Sequence, residues 1–379
     1  STILLASQVP IGTGLTSAGG PSQPAGNSSS SLLAAIQAQT KSHDLADQNH
    51  LSGNGTQFLG LLPSTIPLLV NTIVIKGTAP NSTTPLTLTG TSTANQHTAL
   101  VIDTSTVTNS TVVLQKVDFA AVIGAATVIG DTAGQILTGD ASSQTFIIAS
   151  NNGTTIAGAD TTVASQVYAG AGNDVLQYGL TTNATTVNAL NATLLANSST
   201  TGSLSAATSV LLNGGTGSDT AVFSKAQSAY LIDQRDGYVL VTDKADATQR
   251  ITVTNTESLK FSDSQVNVES RAELTTLAGL YQTAFGRQAD INGFDFWGAQ
   301  QAKGVSLGSI AVSMLGSNEA AVRGFALNGD KTHDITVLYR AVFGRDPEGN
   351  GLAYWQSQMS QGQSIVDVAN GFMAATEIS

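Results

Sequence analysis

Residues 168–178 read YAGAGNDVLQY, and residues 213–222 read NGGTGSDTAV. Both stretches contain the pattern Gly-x-Gly-x-Asp, followed by a run that includes apolar side chains. Glycine permits backbone conformations that other residues avoid, so each stretch predicts a tight turn that leads into a strand. The aspartate places a carboxylate at the end of each turn. Two copies in one chain indicate a repeated structural unit.

The two turns resemble the nonapeptide Gly-Gly-x-Gly-x-Asp-x-apolar-x of the repeats-in-toxin (RTX) calcium β-roll. In this family glycine carbonyls and aspartates bind Ca²⁺, which prefers roughly six to eight oxygen ligands. The resemblance therefore implies Ca²⁺ as a cofactor. The metal ligands that it implies, including degenerate neighbouring turns, are Gly170, Gly172, Asn173, Asp174, Gly215, Gly217, Asp219, Asp160, Asp140 and Asp131.

This chain departs from the RTX pattern in two ways. Ala169 stands at the first glycine of one copy, and Ala221 stands at the apolar position of the other. About forty residues of other sequence also separate the copies, whereas a β-roll shares each ion between successive turns. The alternative interpretation is that these are turns with a solvated aspartate.

Short runs rich in Val, Ile, Leu and Thr occupy residues 65–222, and Gly, Asn and Asp separate them. Such runs, with no long helical pattern between them, indicate either a β-sandwich or a parallel β-solenoid. Gly130-Asp131 and Gly139-Asp140 are nine residues apart, which is the spacing of nonapeptide coils. We therefore predict a mainly β fold: a parallel β-solenoid or RTX-like roll, with a short N-terminal helix and a C-terminal all-α repeat domain.

The region before the strands has two predicted parts. Residues 1–30 carry no charge and are rich in Ser, Gly and Pro, which is typical of an arm. Residues 31–64 are predicted to form a short helical segment and a linker. The side chains at helical spacing are Leu33, Ile36, Thr40 and His43. His43 and His50 are seven residues apart, too far for a metal pair on one helix, so ordinary packing or surface roles are the preferred interpretation.

Residues 219–268 resemble the flanking module that often follows RTX rolls, and residues 223–270 are predicted to form a β-hairpin module. Asp236-Gly237 between two alternating strands predicts the hairpin turn. The positions that match the module are Asp219, Phe223, Tyr230, Gly237, Glu257, Leu259, Phe261 and Asp263. Apart from Asp219, these residues carry no evident chemistry, so we expect the module to cap the preceding strands.

Residues 271–379 contain an internal repeat. LYQTAFGRQADINGFDFW starts at Leu280 and LYRAVFGRDPEGNGLAYW starts at Leu338, an offset of 58 residues. Each copy predicts three helices, the third with a serine N-cap. Both tryptophans occupy the same repeat position, which predicts burial. The repeat resembles a C-terminal helical domain of unknown function found in bacterial surface and secreted RTX-type proteins.

The composition excludes several functional classes. The chain has 379 residues, of which only 11% are charged, and its formal net charge is −11. Nucleic acid and anionic membranes are therefore poor partners, and no apolar run is long enough for membrane insertion. The absence of cysteine excludes disulfides and thiolate chemistry. The sequence has no H-E-x-x-H zinc motif, no G-x-S-x-G elbow and no P-loop, so we predict that it is not an enzyme.

We predict an extracellular bacterial structural protein that is stabilised by Ca²⁺ and assembles with copies of itself into a surface layer or filament. It resembles proteins exported by type I secretion, and residues 2–10 are expected to add to a neighbour's sheet. The alternative is a secreted adhesin or ligand-binding module whose helical domain binds a cell-surface glycan. A third possibility, a polysaccharide-active enzyme, would use Asp131, Asp140 and Asp160.

Overall fold

The structure is a computed structural model. It describes residues 5–130, 134–148, 154–155, 162–163, 165–178, 209–235, 238–268, 277–285, 289, 291–322, 324–343 and 345–374. The chain divides into two compact units, one of residues 1–235 with 239–270 and the other of residues 236–238 with 271–379. The first unit contains the sheets and two helices, and the second is helical.

Twenty-four strands lie within the described residues. They are β1 Ala6–Gln8, β2 Thr13–Gly19, β3 Gln23–Pro24, β4 Pro67–Gly77, β5 Leu86–Thr89, β6 His97–Asp103, β7 Ser110–Gln115, β8 Phe119–Ile123, β9 Ala126–Gly130, β10 Ile136–Gly139, β11 Thr145–Ile148, β12 Thr154–Thr155, β13 Thr162–Val163, β14 Gln166–Tyr168, β15 Ala171–Gly172, β16 Val175–Tyr178, β17 Ser209–Asn213, β18 Thr216–Gly217, β19 Thr220–Phe223, β20 Tyr230–Arg235, β21 Tyr238–Asp243, β22 Asp246–Thr254, β23 Ser258–Lys260 and β24 Gln265–Asn267.

Most of these strands belong to two large sheets, and strands that follow each other along the chain tend to alternate between them. The nine-stranded sheet has the order β1-β5-β7-β9-β11-β16-β19-β23-β24. The eleven-stranded sheet has the order β2-β4-β6-β8-β10-β14-β17-β22-β21-β20, with β3 also beside β4. Interior strands run parallel, whereas β1, β24, β2 and β21 pair antiparallel with their neighbours. Both sheets are therefore mixed.

The main core is built from side chains that the two sheets contribute. Leu100, Val112, Phe146 and Leu176 are among its members and are fully buried. Valine, isoleucine and leucine dominate it because branched and aliphatic side chains pack well on a pleated surface. Alternate residues of each strand enter this core, which follows from the two-residue period of a β-strand.

Two helices cover the other face of the eleven-stranded sheet. They are α1 Ala25–Gln39 and α2 Leu45–Leu61. Helix α1 packs on β4 and β6, and α2 packs on β8 and β10. Phe58 of α2 stacks on Phe119 of β8, with ring centroids 5.1 Å apart. All five residues of β8 are buried, because helix covers one face and core covers the other.

The second unit is an array of helices. They are α3 Leu277–Phe285, α4 Ile291–Ala302, α5 Leu307–Leu315, α6 Asn318–Val322, α7 Lys331–Phe343, α8 Gly349–Ser360 and α9 Ile365–Ala374. Helices α4 and α8 begin and end 58 residues apart, as the sequence repeat requires. Trp297 and Trp355 are half-buried rather than fully buried. Among the described helices, none is both long and apolar enough to cross a membrane.

The predicted fold class, a mainly β chain with a parallel solenoid or RTX-like roll, is wrong. The described residues form a mixed α/β structure with two large sheets of parallel and antiparallel strands and nine helices. The predicted N-terminal arm contains β1, β2, β3 and the start of α1, and two full helices replace the predicted short one. Antiparallel pairing at the sheet ends is a tertiary effect that strand periodicity does not reveal. The predicted turn Asp236-Gly237 lies outside the described residues.

Candidate metal centre

The structure brings the two Gly-x-Gly-x-Asp turns together. Strands β15 and β18 pair in parallel, so that Ala171 lies beside Thr216 and Gly172 lies beside Gly217. The strands that follow them, β16 and β19, continue the same register. Residues that are 45 positions apart in sequence thus occupy neighbouring positions. The intervening sequence does not keep the two turns apart.

The glycines allow this close approach. Gly215 and Gly217 have φ angles of 91° and 143°, a region that residues with side chains rarely adopt. A Cβ atom at Gly217 would lie only 1.5 Å from the carbonyl oxygen of Gly172, and one at Gly215 would lie 1.8 Å from that of Gly170. The Thr216 amide also donates to the Gly170 carbonyl at 2.8 Å. The glycines are therefore needed for the two turns to stack, whether or not an ion is bound.

The aspartates form a ladder across successive turns. The Gln144 amide donates to Asp174 Oδ1 at 2.6 Å, and the Asp174 amide donates to Asp219 Oδ1 at 2.7 Å. The Asp219 amide in turn donates to Glu257 Oε2 at 2.8 Å. Each carboxylate thus accepts from the backbone of the preceding turn. Asn173 links the same two turns in the opposite direction, because its Oδ1 accepts from the Ser218 amide of the following turn at 2.9 Å.

Within the part of the chain that the structure describes, each of the two aspartates keeps one oxygen without a hydrogen-bond partner. Asp174 and Asp219 are both 1% exposed, and their Oδ2 atoms are buried and unpartnered. Burial raises the pKa of Asp174 to about 8, and the nearby Asp219 and Asp140 carboxylates add to the rise. Burial also raises the pKa of Asp219 to about 6, with a further contribution from Glu257. Their backbone hydrogen bonds act in the opposite direction.

This chemistry fits a hard divalent cation. A buried carboxylate that lacks a partner is costly, and an ion supplies both a partner and the opposite charge. Calcium selects carboxylate and carbonyl oxygens, which are the atoms that these two turns offer. Asp174 and Asp219 would hold the ion. Bound there, it would stabilise the ionised carboxylates and the stacked turns.

The other predicted aspartate ligands lie elsewhere or outside the described residues. Asp140, at the end of β10, is 2% exposed. It accepts hydrogen bonds from the Gly124 amide at 2.8 Å, from the Ser142 amide at 3.0 Å and from the Gln144 side chain. It also lies beside His43 and Asp47, a grouping that the sequence did not suggest. Asp131 and Asp160 lie outside the described residues.

The sequence-based prediction also missed Glu257 as part of the ladder. This residue had been assigned only to the flanking module. Its contact with the Asp219 amide follows from the parallel pairing of β19 with β23, which places Thr220 beside Ser258. The motif gave each aspartate's position within its turn, but the order of the turns depends on strand register.

The comparisons with known proteins concern only the C-terminal end. A family model described as a domain of unknown function (DUF4214) matches residues 323–379. This match falls on the second of the two helical repeats. A search of curated proteins finds no match, and a search of solved structures finds none either. The candidate metal centre lies outside the matched residues, so the case for it rests on its geometry.

Proposed function

We propose that this chain is an extracellular structural protein that binds calcium and assembles with copies of itself into a surface layer or filament. The observation that carries the proposal is the lack of charged residues in the strands at the ends of the two large sheets. Three of these four end strands carry no charged residue.

The end strands offer backbone groups for pairing. The nine-stranded sheet ends in β1 (ASQ) and β24 (QVN), and the eleven-stranded sheet ends in β2 (TGLTSAG) and β20 (YLIDQR). Natural proteins usually protect such edges with charges or bulges, because an open edge can pair with another chain. Here β1 is exposed throughout and β2 along most of its length. Ile11, between β1 and β2, is fully exposed.

The order of the strands favours a head-to-tail contact. Both sheets begin with N-terminal strands, β1 and β2, and both end with strands from the last third of the first unit. Pairing of β2 of one copy with β20 of the next would extend the larger sheet. Such a contact joins two different surfaces, so it generates open filaments unless the rotation closes a ring.

Calcium would control the stability of the assembling unit. Asp174 and Asp219 lie in stacked turns within that unit, and their unpartnered oxygens favour a bound cation. A ligand that binds only the folded state stabilises it in proportion to the logarithm of its concentration. A calcium-rich exterior would therefore favour the folded, assembly-competent chain. Export before folding is consistent with this arrangement.

The adhesin alternative has one observation in its favour. Phe296 and Tyr354 are 57% and 55% exposed, and they occupy equivalent positions 58 residues apart. Each packs edge-on against the tryptophan that follows it, with ring centroids 4.7 and 4.9 Å apart. Exposed aromatic rings with one apolar face are suited to stacking on a ligand such as a sugar ring. In this alternative the helical unit binds a cell-surface glycan.

Edge-strand variants test the assembly proposal. Thr16 is exposed on β2, and Thr16→Lys places a charge on the open edge. In sedimentation-velocity runs in calcium, we expect the wild-type protein to form large species and this variant to stay monomeric. Gln37→Lys makes a similar change of charge on the exposed face of α1 and should assemble normally. Equal assembly of both variants would contradict pairing through β2.

A further inference from the structure

Three side chains from two distant parts of the chain meet where α2 begins. His43 precedes α2, Asp47 lies in its first turn, and Asp140 follows β10. One donor atom from each residue, an imidazole nitrogen or a carboxylate oxygen, lies within 4.8 Å of the other two. His43 Nδ1 contacts Asp47 Oδ2 directly and lies 3.9 Å from Asp140 Oδ2. The side chain of His43 is 22% exposed, whereas those of Asp47 and Asp140 are 6% and 2% exposed.

Local hydrogen bonds hold these side chains in place. Asp44 caps α2 by accepting from the Asp47 amide at 2.8 Å, which fixes Asp47 in the first turn. The Gln48 side chain donates to the carbonyls of Thr40 and His43, at 3.0 and 2.9 Å, and so fixes the α1–α2 connection.

Hydrogen bonds also hold the carboxylate of Asp140 in place. Its Oδ2 accepts from the Gly124 amide at 2.8 Å, and its Oδ1 accepts from the Ser142 amide at 3.0 Å. Hydrogen bonds of this kind around metal ligands orient them and tune their basicity. The three donor atoms are therefore positioned before any ion arrives.

The charges in this cluster do not balance. Two buried carboxylates face one histidine, and in the described part of the chain no lysine or arginine forms an ion pair with either. Burial raises the pKa of Asp47, and the neighbouring Asp140 adds to the rise, while His43 lowers it. A divalent cation would neutralise both carboxylates at once.

The second histidine of this region does not join the cluster. His50 is buried among polar partners, with its Nε2 3.2 Å from Thr138 Oγ1 and 3.4 Å from the carbonyl oxygen of Tyr168. Asn54 Nδ2 also lies 3.3 Å from the same nitrogen. Burial lowers the pKa of His50. The donor set is thus one imidazole and two carboxylates.

We propose that His43, Asp47 and Asp140 bind a divalent first-row transition metal, with Zn²⁺ as the representative ion. An imidazole nitrogen selects such metals over calcium, which prefers oxygen ligands. Zinc is commonly bound by three protein ligands together with a water, and the partial exposure of His43 leaves a side open to solvent. The ion replaces the His43–Asp47 hydrogen bond and joins α2 to the end of β10.

Equilibrium dialysis of the full chain tests this site. The protein is stripped with a chelator and dialysed against Zn²⁺ in excess Ca²⁺, which occupies the oxygen sites of the paired turns. We expect one Zn²⁺ per chain and at least tenfold weaker binding in His43→Gln and in Asp140→Asn. His333→Gln is the matched control, because the His333 imidazole lies 3.1 Å from one carboxylate oxygen of Asp334 and belongs to no three-ligand cluster among the described residues. Binding that is the same in His43→Gln as in the wild type would overturn the proposal.

A measurement on the wild-type protein removes any dependence on how the variants fold. In proton–nitrogen spectra of the imidazole rings, one equivalent of Zn²⁺ should shift the signal of His43, while those of His97 and His333 stay in place. Shifts at another histidine alone, or at none, would overturn the proposal. Asp174→Asn with Asp219→Asn should leave Zn²⁺ binding unchanged, so this test is independent of the calcium proposal.

Discussion

The buried carboxylates of Asp174 and Asp219 should make the stability of the protein depend on pH and on calcium. In the unfolded chain an aspartate has an ordinary pKa of 3.8, whereas burial raises the pKa of folded Asp174 to about 8 and of folded Asp219 to about 6. The folded state then binds more protons than the unfolded state between these values. The contribution of these groups is therefore fully present below about pH 4 and is lost as the pH rises through about 8.

The magnitude is large compared with the stability of a domain. One pKa unit corresponds to about 1.4 kcal/mol, so the rise for Asp174 from 3.8 to about 8 corresponds to an upper limit of about 6 kcal/mol. Whole domains are stable by about 5–15 kcal/mol. Asp219 acts in the same direction. Without a cation, the first unit should be markedly less stable at pH 8 than at pH 6.

Replacement of both carboxyls by amides isolates this effect. Asp174→Asn with Asp219→Asn keeps the size of each side chain but removes its titration. We expect the free energy of unfolding of the variant, relative to that of the wild type, to rise by up to about 3 kcal/mol between pH 6 and 8 in chelator. Calcium should stabilise the wild type at pH 8 and have little effect on the variant, because its two ligands are neutral.

Urea unfolding followed by far-ultraviolet circular dichroism provides the assay. Asp103→Asn is the control, because Asp103 is a half-buried carboxylate that accepts from the Ser105 amide at 2.8 Å outside the paired turns. It should follow the wild-type pH profile and keep the calcium effect. Parallel pH profiles for the wild type and the double variant, or equal stabilisation of both by calcium, would show that Asp174 and Asp219 are not the source of the pH and calcium dependence.

Three further predictions follow from the packing. Gly217→Ala should destabilise the protein by about 2 kcal/mol or more, because its Cβ would overlap the Gly172 carbonyl oxygen. Gly60→Ala is the control: its Cβ would enter open space, so the change should be neutral or stabilising by up to about 1 kcal/mol. Equal shifts of the melting temperature in the two variants would contradict this prediction. Leu100→Ala leaves a cavity in the main core and should cost about 2–5 kcal/mol in urea unfolding; a loss below about 1 kcal/mol would argue against tight packing there. Burial lowers the pKa of His50, so the contribution of this residue to the free energy of unfolding should be lost as the pH falls below about 6.5. His50→Gln should therefore reduce the loss of stability on the acid side of the pH profile. An unchanged acid side in this variant would show that His50 is not its cause.

Local sequence signals predicted some features of the first unit. The runs TIVIKG, ALVID and TVVLQ correspond to parts of β4, β6 and β7, because branched apolar residues favour pleated, buried backbone. The glycines of the two turns were identified from residue type alone, because few other residues tolerate their backbone conformations.

Features that depend on contacts between distant segments could not be predicted. The uncharged N-terminal stretch indicated an arm, but β1 and β2 are ordered by antiparallel pairing with β5 and β4. The helices that cover the eleven-stranded sheet were underestimated because serine, alanine and glycine blur their apolar faces. These tertiary contacts make the fold mixed α/β, which is why the predicted fold class was wrong.

The candidate site shows the same division. The motif identified Asp174 and Asp219 but gave no sign that turns 45 residues apart would stack. His43 and Asp140 are 97 positions apart, so only the packing of α2 on β10 reveals that they meet. Residue types predicted which atoms can bind a cation, and strand register decided which of those atoms lie together.

Electron microscopy of the purified, negatively stained chain is the most direct measurement of calcium-dependent self-assembly. The chain is imaged first in calcium and then after addition of a calcium chelator. The proposed function predicts ordered sheets or filaments in calcium that dissolve in chelator. Single particles of uniform size in both conditions would contradict self-assembly and favour the adhesin alternative.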